Sequence, residues 1–600
     1  MVNLLNLFFL LIIWVIVWFI PIPPKRFRLK SVARWVSLVI GLFLFFVLQL
    51  FHTPLSIFTY VFVFSRALSA FVESAFSFGL RRLTREEKET RHVGRPFWKV
   101  DLKAGGRIIA VLFLVYVVAA ASLVVFAQVQ RVTNAVYFNS FIKAGSGLPF
   151  NWAVPDNMVR LVTQELAVSI ARRHMSEFGS NTQVLDCHVT KSSEGKLVWL
   201  AVIGSTNVIA ENYVKGFVVV DATDPTAIPT TVHTQFQVGE GLWWDHNIPF
   251  RQYMQDISRN YGIAYATWDT TTNSLTYVLT RYNTDFDFVR RYETPIVYDE
   301  QGNIIHEPKT LAEIPLWVTQ VYDEDWLESM INEMGLFRRG GGFDYWAGGF
   351  LWIVAPSRDR FQMTEDTRYV VDPETEDIVA LVCVNPIGNQ RTLAGVFKAT
   401  REDVIFYDYK SANYLSGMTA EDMVEGRLPK PATGNYYATM PLLYPVETSP
   451  NNYELSWYVP VYWYEMSGEV DETIYLAGFA IVDASDANKI VLTMNNEGLT
   501  SEQLVRKTRL DFMKLFGATT YLTLNVTVLN IYNYVEDGTS HLVLNLANDT
   551  YPFVEATPKD VPTDQWNELL ATVTPKNVTI YIEKRGNRWI VTYFDNPNIP

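Results

Sequence analysis

The chain has 600 residues, 50 Lys and Arg against 63 Asp and Glu, a net charge of −13 and 49% hydrophobic residues. That length is enough for several domains, each with its own core. The acidic balance argues against nucleic-acid binding by the bulk of the chain, because phosphates would be repelled.

The hydrophobic residues are unevenly placed. Four apolar segments, Leu4–Ile20, Trp35–Phe51, Leu55–Leu80 and Ile108–Ala127, are long enough or nearly so to span about 30 Å of hydrocarbon. Residues 1–127 hold 15 basic and 5 acidic side chains; the remainder holds 35 and 58. The basic loops after the first and third segments mark the cytoplasmic side. The sequence therefore predicts a multi-pass protein of the plasma or inner membrane, with residues 1–130 as a transmembrane domain. The amino terminus and the large C-terminal domain would lie outside the cytoplasm, the latter as an ectodomain. Pro-Ile-Pro-Pro-Lys after the first segment, in place of a small-residue cleavage site, argues against a cleaved signal peptide. Within the third segment, Arg66 and Glu73 lie on one helical face with Ala70 and Ser77. This is a candidate intramembrane ion pair, read first as structural and second as part of an ion path.

The rest divides into residues 131–290, 291–415, 416–518 and 519–600. Asp156 is a predicted N-cap for a helix over 157–178, with Val159, Val162, Leu166 and Ile170 on one face and Gly179 as the stop. The chain around Trp199 reads KLVWLAVIGSTNVIAENYVKGFVVVDATD, and around Trp457 it reads ELSWYVPVYWYEMSGEVDETIYLAGFAIVDASD. Gly216 aligns with Gly478, Asp221 with Asp483 and Asp224 with Asp486. A degraded third copy is expected at Trp352 and Asp372. Such repetition implies one supersecondary unit used two or three times. Helices are also predicted over Asp323–Met334, ending at Gly335, and from a Thr500–Gln503 capping box to Phe516. Strands are expected at Tyr521–Ile531, His541–Leu546, Val578–Glu583 and Arg588–Phe594. The predicted fold class is α+β: a four-helix transmembrane domain followed by repeated helix-plus-antiparallel-sheet modules.

A helix followed by a meander ending in VVVDA resembles the PepSY-like modules of bacterial and archaeal envelope proteins, over Val159–Val238 and Tyr453–Met494. The resemblance implies envelope localisation and binding or modulation of other proteins. It carries no catalytic residues.

No HExxH, CxxC, P-loop or GxSxG pattern is present, and no GxGxxG opens a helix after a strand. No cofactor or metal is expected. In Asp186-Cys187-His188, strand alternation turns Cys187 away from its neighbours, so the three cannot form one site. Cys187 and Cys383 are read as two buried thiols or, alternatively, one disulfide. Trp243-Trp244-Asp245-His246 sits in a predicted loop and is a candidate ligand platform or subunit contact. On the strand Trp457–Tyr464, the face carrying Tyr458, Tyr462 and Tyr464 is a candidate exposed aromatic surface, with burial on both faces by a neighbouring module as the competing reading. Asn525, Asn548 and Asn577 begin Asn-x-Thr sequons and are candidate glycosylation sites.

These features predict a non-enzymatic, membrane-anchored envelope protein whose modules bind other membrane or envelope proteins within a larger assembly, with homo-oligomerisation a further option. The alternatives are a transport or channel subunit using Arg66 and Glu73, or a carbohydrate-binding or enzymatic envelope protein.

Overall fold

In the computed structural model, the structure describes residues 129–596 apart from 285–288, 340–341, 344–358, 364, 432, 450–451, 468–470, 497, 517–520, 537–538, 549, 562 and 586–587. The four predicted spans, the Arg66–Glu73 pair and Trp352 lie outside the described residues. Among the described residues no helix is long and apolar enough to cross a membrane. The expectation of a four-helix transmembrane domain and of multi-pass membrane placement is therefore withdrawn. The described chain is 43% strand and 22% helix, so the fold class is corrected to mostly β.

The chain forms two compact units. In the first, strands Thr182–Lys191, Leu197–Ser205, Val214–Asp221 and Thr230–Val232 form an antiparallel meander. The helix Gln164–His174 packs on it. Every residue of Leu197–Ser205 is buried, as its unbroken apolar run requires of a strand covered on both faces. A second helix-plus-meander follows: Ile248–Gln255, then Arg259–Asp269, Ser274–Thr284, Arg290–Tyr298 and Ile304–His306. The two sheets share one core, in which Leu200, Val202 and Phe217 meet Ala266, Leu279 and Ile296. Full burial of such aliphatic and aromatic side chains contributes about 1.5–3 kcal/mol each.

The same unit holds a six-stranded sheet around Ile378–Pro386, on which the helix Glu324–Phe337 rests. That helix is capped by Asp323 and runs through Gly335, where the sequence predicted a stop. The glycine is there for proximity: a Cβ at Gly335 would strike the Phe361 carbonyl.

The second unit contains a five-stranded sheet centred on Asn452–Ser467 and Asp471–Asp483, and a closed five-stranded barrel over residues 521–595. The helix Ser501–Lys514 has both halves of the Thr500–Gln503 capping box.

The two repeat segments share their local geometry. Trp199 pairs with Val220 and Trp457 with Val482, each one residue before the signature aspartate. Both ladders slip by one residue just before the signature glycine. A Cβ on Gly216 would lie 2.5 Å from the Val232 carbonyl, and on Gly478 2.8 Å from that of Thr493. Only glycine lets the next strand pass so closely. Asp221 and Asp483 then close Asx turns, accepting from Thr223 N and Ser485 N at 2.8 and 2.7 Å. Asp372 makes a similar turn with Glu374 N at 3.0 Å.

The predicted helix over 157–178 is shorter than its apolar spacing implied. Asp156–Met158 is a 3-10 turn, and the α-helix starts only after Thr163, whose hydroxyl accepts from Leu166 N. Leu161 and Val162 are extended and donate their amides to the Ala222 carbonyl at 2.9 Å. Val162 O in turn accepts from the Trp199 indole at 2.9 Å.

Tyr458 and Tyr462 are fully buried, which decides for burial on both faces over the exposed aromatic surface; Tyr464 is half-buried. Their strand is central, between Leu442–Ser449 and Asn435–Ala438 on one edge and Asp471–Asp483 on the other. Cys187 and Cys383 are both buried and unbridged.

Two of the three sequons face each other across one ladder of the barrel, with Asn525 opposite Thr579 and Thr527 opposite Asn577. Thr579 donates to Asn525 Oδ1, and Thr527 and Asn577 are bonded to each other. A cross-strand Asn–Thr ladder thus accounts for both patterns. Asn548 accepts from Thr550 N and Tyr551 N in an Asx turn.

Candidate functional site

The link between the two stacked sheets of the first unit carries the densest chemistry. Residues Gly239–Ile248 form a loop tied at its base: Gly239 N donates to His246 O at 3.0 Å, and Ile248 N donates to Gly239 O at 3.2 Å. Asn212 clamps its tip, donating to Trp243 O at 2.8 Å and accepting from Trp243 N at 2.7 Å. Asn247 caps the following helix through Phe250 N, and His246 Nδ1 bonds Gln237 O. Trp243 and Trp244 are 54% and 56% exposed. Trp244 has φ +56°, a left-handed backbone that a bulky residue adopts only when its surroundings impose it. Its ring leans on Phe250 at 5.1 Å.

The inner side of this loop carries Glu240. A bulge between Thr182–Lys191 and its neighbour, at Leu185, sets Asp186 and His188 on one face of the strand, with Cys187 on the other. Asp186, His188 and Glu240 each offer a ligand atom within 4.8 Å of the other two. Asp186 Oδ2 and His188 Nε2 are in ion-pair contact, yet neither makes a hydrogen bond with acceptable geometry. One oxygen of Glu240 accepts from Ala264 N at 3.1 Å. The Tyr277 hydroxyl is fully buried with no hydrogen-bond partner. It ends beside Gly239, 3.0 Å from where a Cβ there would lie.

The electrostatics follow from burial. Burial pushes the Glu240 carboxyl up to about 7, with Asp186 adding to the rise and His188 opposing it. For His188, burial works to lower the pKa, but the Asp186 and Glu240 carboxylates outweigh it and the net shift is upward. Burial raises Tyr277 further, so its hydroxyl keeps its proton.

Strand alternation excluded Cys187 correctly, but no metal set was evident in the sequence. Glu240 lies 52 residues beyond His188, joins from another element, and left no spacing signal.

Nearby Glu324 opens the helix capped by Asp323. Burial pushes it up to about 7, assisted by the Glu328 charge and opposed by His188 and the Tyr369 hydroxyl. A carboxyl raised on folding contributes stability that is complete below its ordinary value of 4.5 and is lost as pH rises through about 7. At about 1.4 kcal/mol per pH unit, Glu324 should remove about 1–3 kcal/mol between pH 5 and pH 8. Glu324→Gln is expected to take that share out of the pH dependence of urea unfolding; an unchanged slope would refute the assignment.

Compared with known protein families and with curated proteins, the chain matches none. Two solved structures are similar: one described as a complex of BT0996 and RGII, at 8% identity over 71% of this chain and 94% of that one, and one described as a glycoside hydrolase, at 8% identity over 70% and 93%. The TM-score is 0.17 in both cases, a likeness that carries no argument about fold or function.

Proposed function

We propose that the chain is a non-enzymatic recognition protein that binds partner proteins within a larger assembly, with Trp243 and Trp244 as the principal contact. The supporting observation is the adjacent pair of half-exposed tryptophans held on a loop fixed at base and tip, one of them in a strained backbone conformation. Tryptophan is over-represented among residues that dominate binding energy, and a pre-ordered loop avoids the entropy cost of ordering on contact.

The test is a photo-crosslinking residue at position 243 of the full chain in its native cells, with light-scattering mass measurement of the purified material. A discrete crosslinked partner is expected, and Trp244→Ala should weaken its binding by about 2 kcal/mol, roughly thirtyfold. Identical behaviour of wild type and Trp244→Ala would remove the loop from recognition.

A further inference from the structure

We propose that Asp186, His188 and Glu240 form a binding site for one divalent transition-metal ion, of the Zn²⁺ or Mn²⁺ class. Three features support this. The set is one imidazole and two carboxylates drawn from a strand and a separate loop, with ligand atoms within 4.8 Å of one another. An ion could bring such atoms together around itself, at about 2.0–2.2 Å from each for zinc. The polar atoms here are also poorly accounted for by the protein. Asp186 Oδ2 and His188 Nε2 touch as an ion pair without a well-aligned hydrogen bond, and an ion seated against both would give each lone pair a partner. The Tyr277 hydroxyl provides an independent observation, being fully buried and unpartnered beside the loop that carries Glu240. A water or hydroxide on the ion is the acceptor such a hydroxyl lacks.

Charge agrees with this assignment. With an ion bound, two carboxylates and a neutral imidazole carry −2, which a divalent cation cancels. Glu240 is held in place by Ala264 N, an outer-shell bond that fixes the orientation of its carboxylate. Calcium is disfavoured because it takes six to eight oxygen ligands, whereas this set offers three residues, one of them nitrogen. Three protein ligands leave at least one coordination position open. The inference stands apart from the reading of Trp243 and Trp244, since it concerns the inner face of the same loop.

The experiment uses the full chain, stripped with EDTA and titrated calorimetrically with ZnCl₂, MnCl₂ and, as a control, MgCl₂. One equivalent of Zn²⁺ or Mn²⁺ is expected to bind, without a comparable response to Mg²⁺. Glu240→Gln and His188→Gln should each weaken binding at least tenfold while leaving crosslinking from position 243 measurable. Wild-type protein that takes up neither ion overturns the proposal, as does unchanged affinity in a folded Glu240→Gln variant. Should both variants fail to fold, the visible spectrum of the Co²⁺-loaded wild type decides. Bands of nitrogen and oxygen ligation support the site; a thiolate charge-transfer band, which would implicate Cys187, or no bands at all, overturns it.

Discussion

Replacing Asp156 by alanine is expected to destabilise the second unit by about 3–5 kcal/mol, the range for removing one partner of a buried ion pair. The side chain is 4% exposed, and its Oδ2 accepts from Arg506 Nε at 3.1 Å and Arg509 Nη2 at 3.0 Å. Both arginines lie on Ser501–Lys514, one helical turn apart, so a single carboxylate is shared by two cations that would otherwise repel each other across a largely buried gap. Arg506 also donates to Thr592 O at 2.8 Å, a carbonyl of the barrel, and approaches Glu502 at 3.3 Å. Arg509 reaches Val154 O at 3.4 Å. Removing the carboxylate leaves both guanidinium groups in place without the anion they share. Hydrogen exchange on the full chain should show the loss concentrated in Ser501–Lys514 and in Arg588–Asp595. Pairing Asp156→Ala with Arg509→Ala should cost much less than the sum of the two, because the second change removes a charge the first left uncompensated. Full additivity would show that the network is not cooperative.

Asp156 also shows where the sequence misleads. As an aspartate before an apolar-periodic segment it has the signature of a helix cap. Its side chain is instead taken by two arginines 350 and 353 residues later, and the helix begins at Thr163. Of the apolar residues that suggested one long helix, Val159 and Val162 are indeed buried but precede the helix, and Val162 is bonded instead to the Ala222 carbonyl. Burial was legible; the conformation that achieves it was set by a distant partner.

Local chemistry was better preserved in the sequence. The capping box at Thr500 and Gln503, the Asp323 cap and the Asx turns at Asp221 and Asp483 all depend on atoms within four residues of one another. The repeat signature was visible because its glycine and aspartate answer steric and hydrogen-bonding needs internal to one strand pair. Tyr458 and Tyr462 were left open between exposure and burial for the opposite reason. Their alternation is real, but whether the second face of a strand is covered depends on helices and strands elsewhere in the chain. The grouping of Asp186, His188 and Glu240 escaped the sequence in the same way, with two of its three members two residues apart and the third brought in by the fold.

The same logic of distant satisfaction gives the second large effect, at Asp323. The ladder between Arg259–Asp269 and Ser274–Thr284 breaks between Tyr261 and Ala264, which frees the amides of Ile263 and Ala264 from strand pairing. Glu240 takes the Ala264 amide, and Asp323 Oδ2 accepts from Ile263 N at 2.9 Å and from the Thr280 hydroxyl at 3.0 Å. Asp323 Oδ1 meanwhile caps the helix through Trp326 N at 2.6 Å. Burial raises the Asp323 carboxyl against the pull of these three donors, so they are what keep so enclosed a group tolerable. Asp323→Ala removes a cap worth about 1 kcal/mol and leaves the buried Ile263 amide without its acceptor, at about 1–3 kcal/mol, while the Thr280 hydroxyl keeps the Ile263 carbonyl at 3.0 Å. A total loss of about 2–4 kcal/mol is expected in denaturant unfolding of the full chain. Gly262→Ala should do comparable damage by another route, since a Cβ there would coincide with the Asp323 carboxylate and push it off its donors. Once Asp323 is alanine, that clash disappears. The double variant should therefore be little worse than Asp323→Ala alone, with a coupling close to the whole Gly262→Ala loss, about 2–4 kcal/mol. Were the two losses simply to add, Gly262 would be required for some reason other than the room it leaves for this carboxylate.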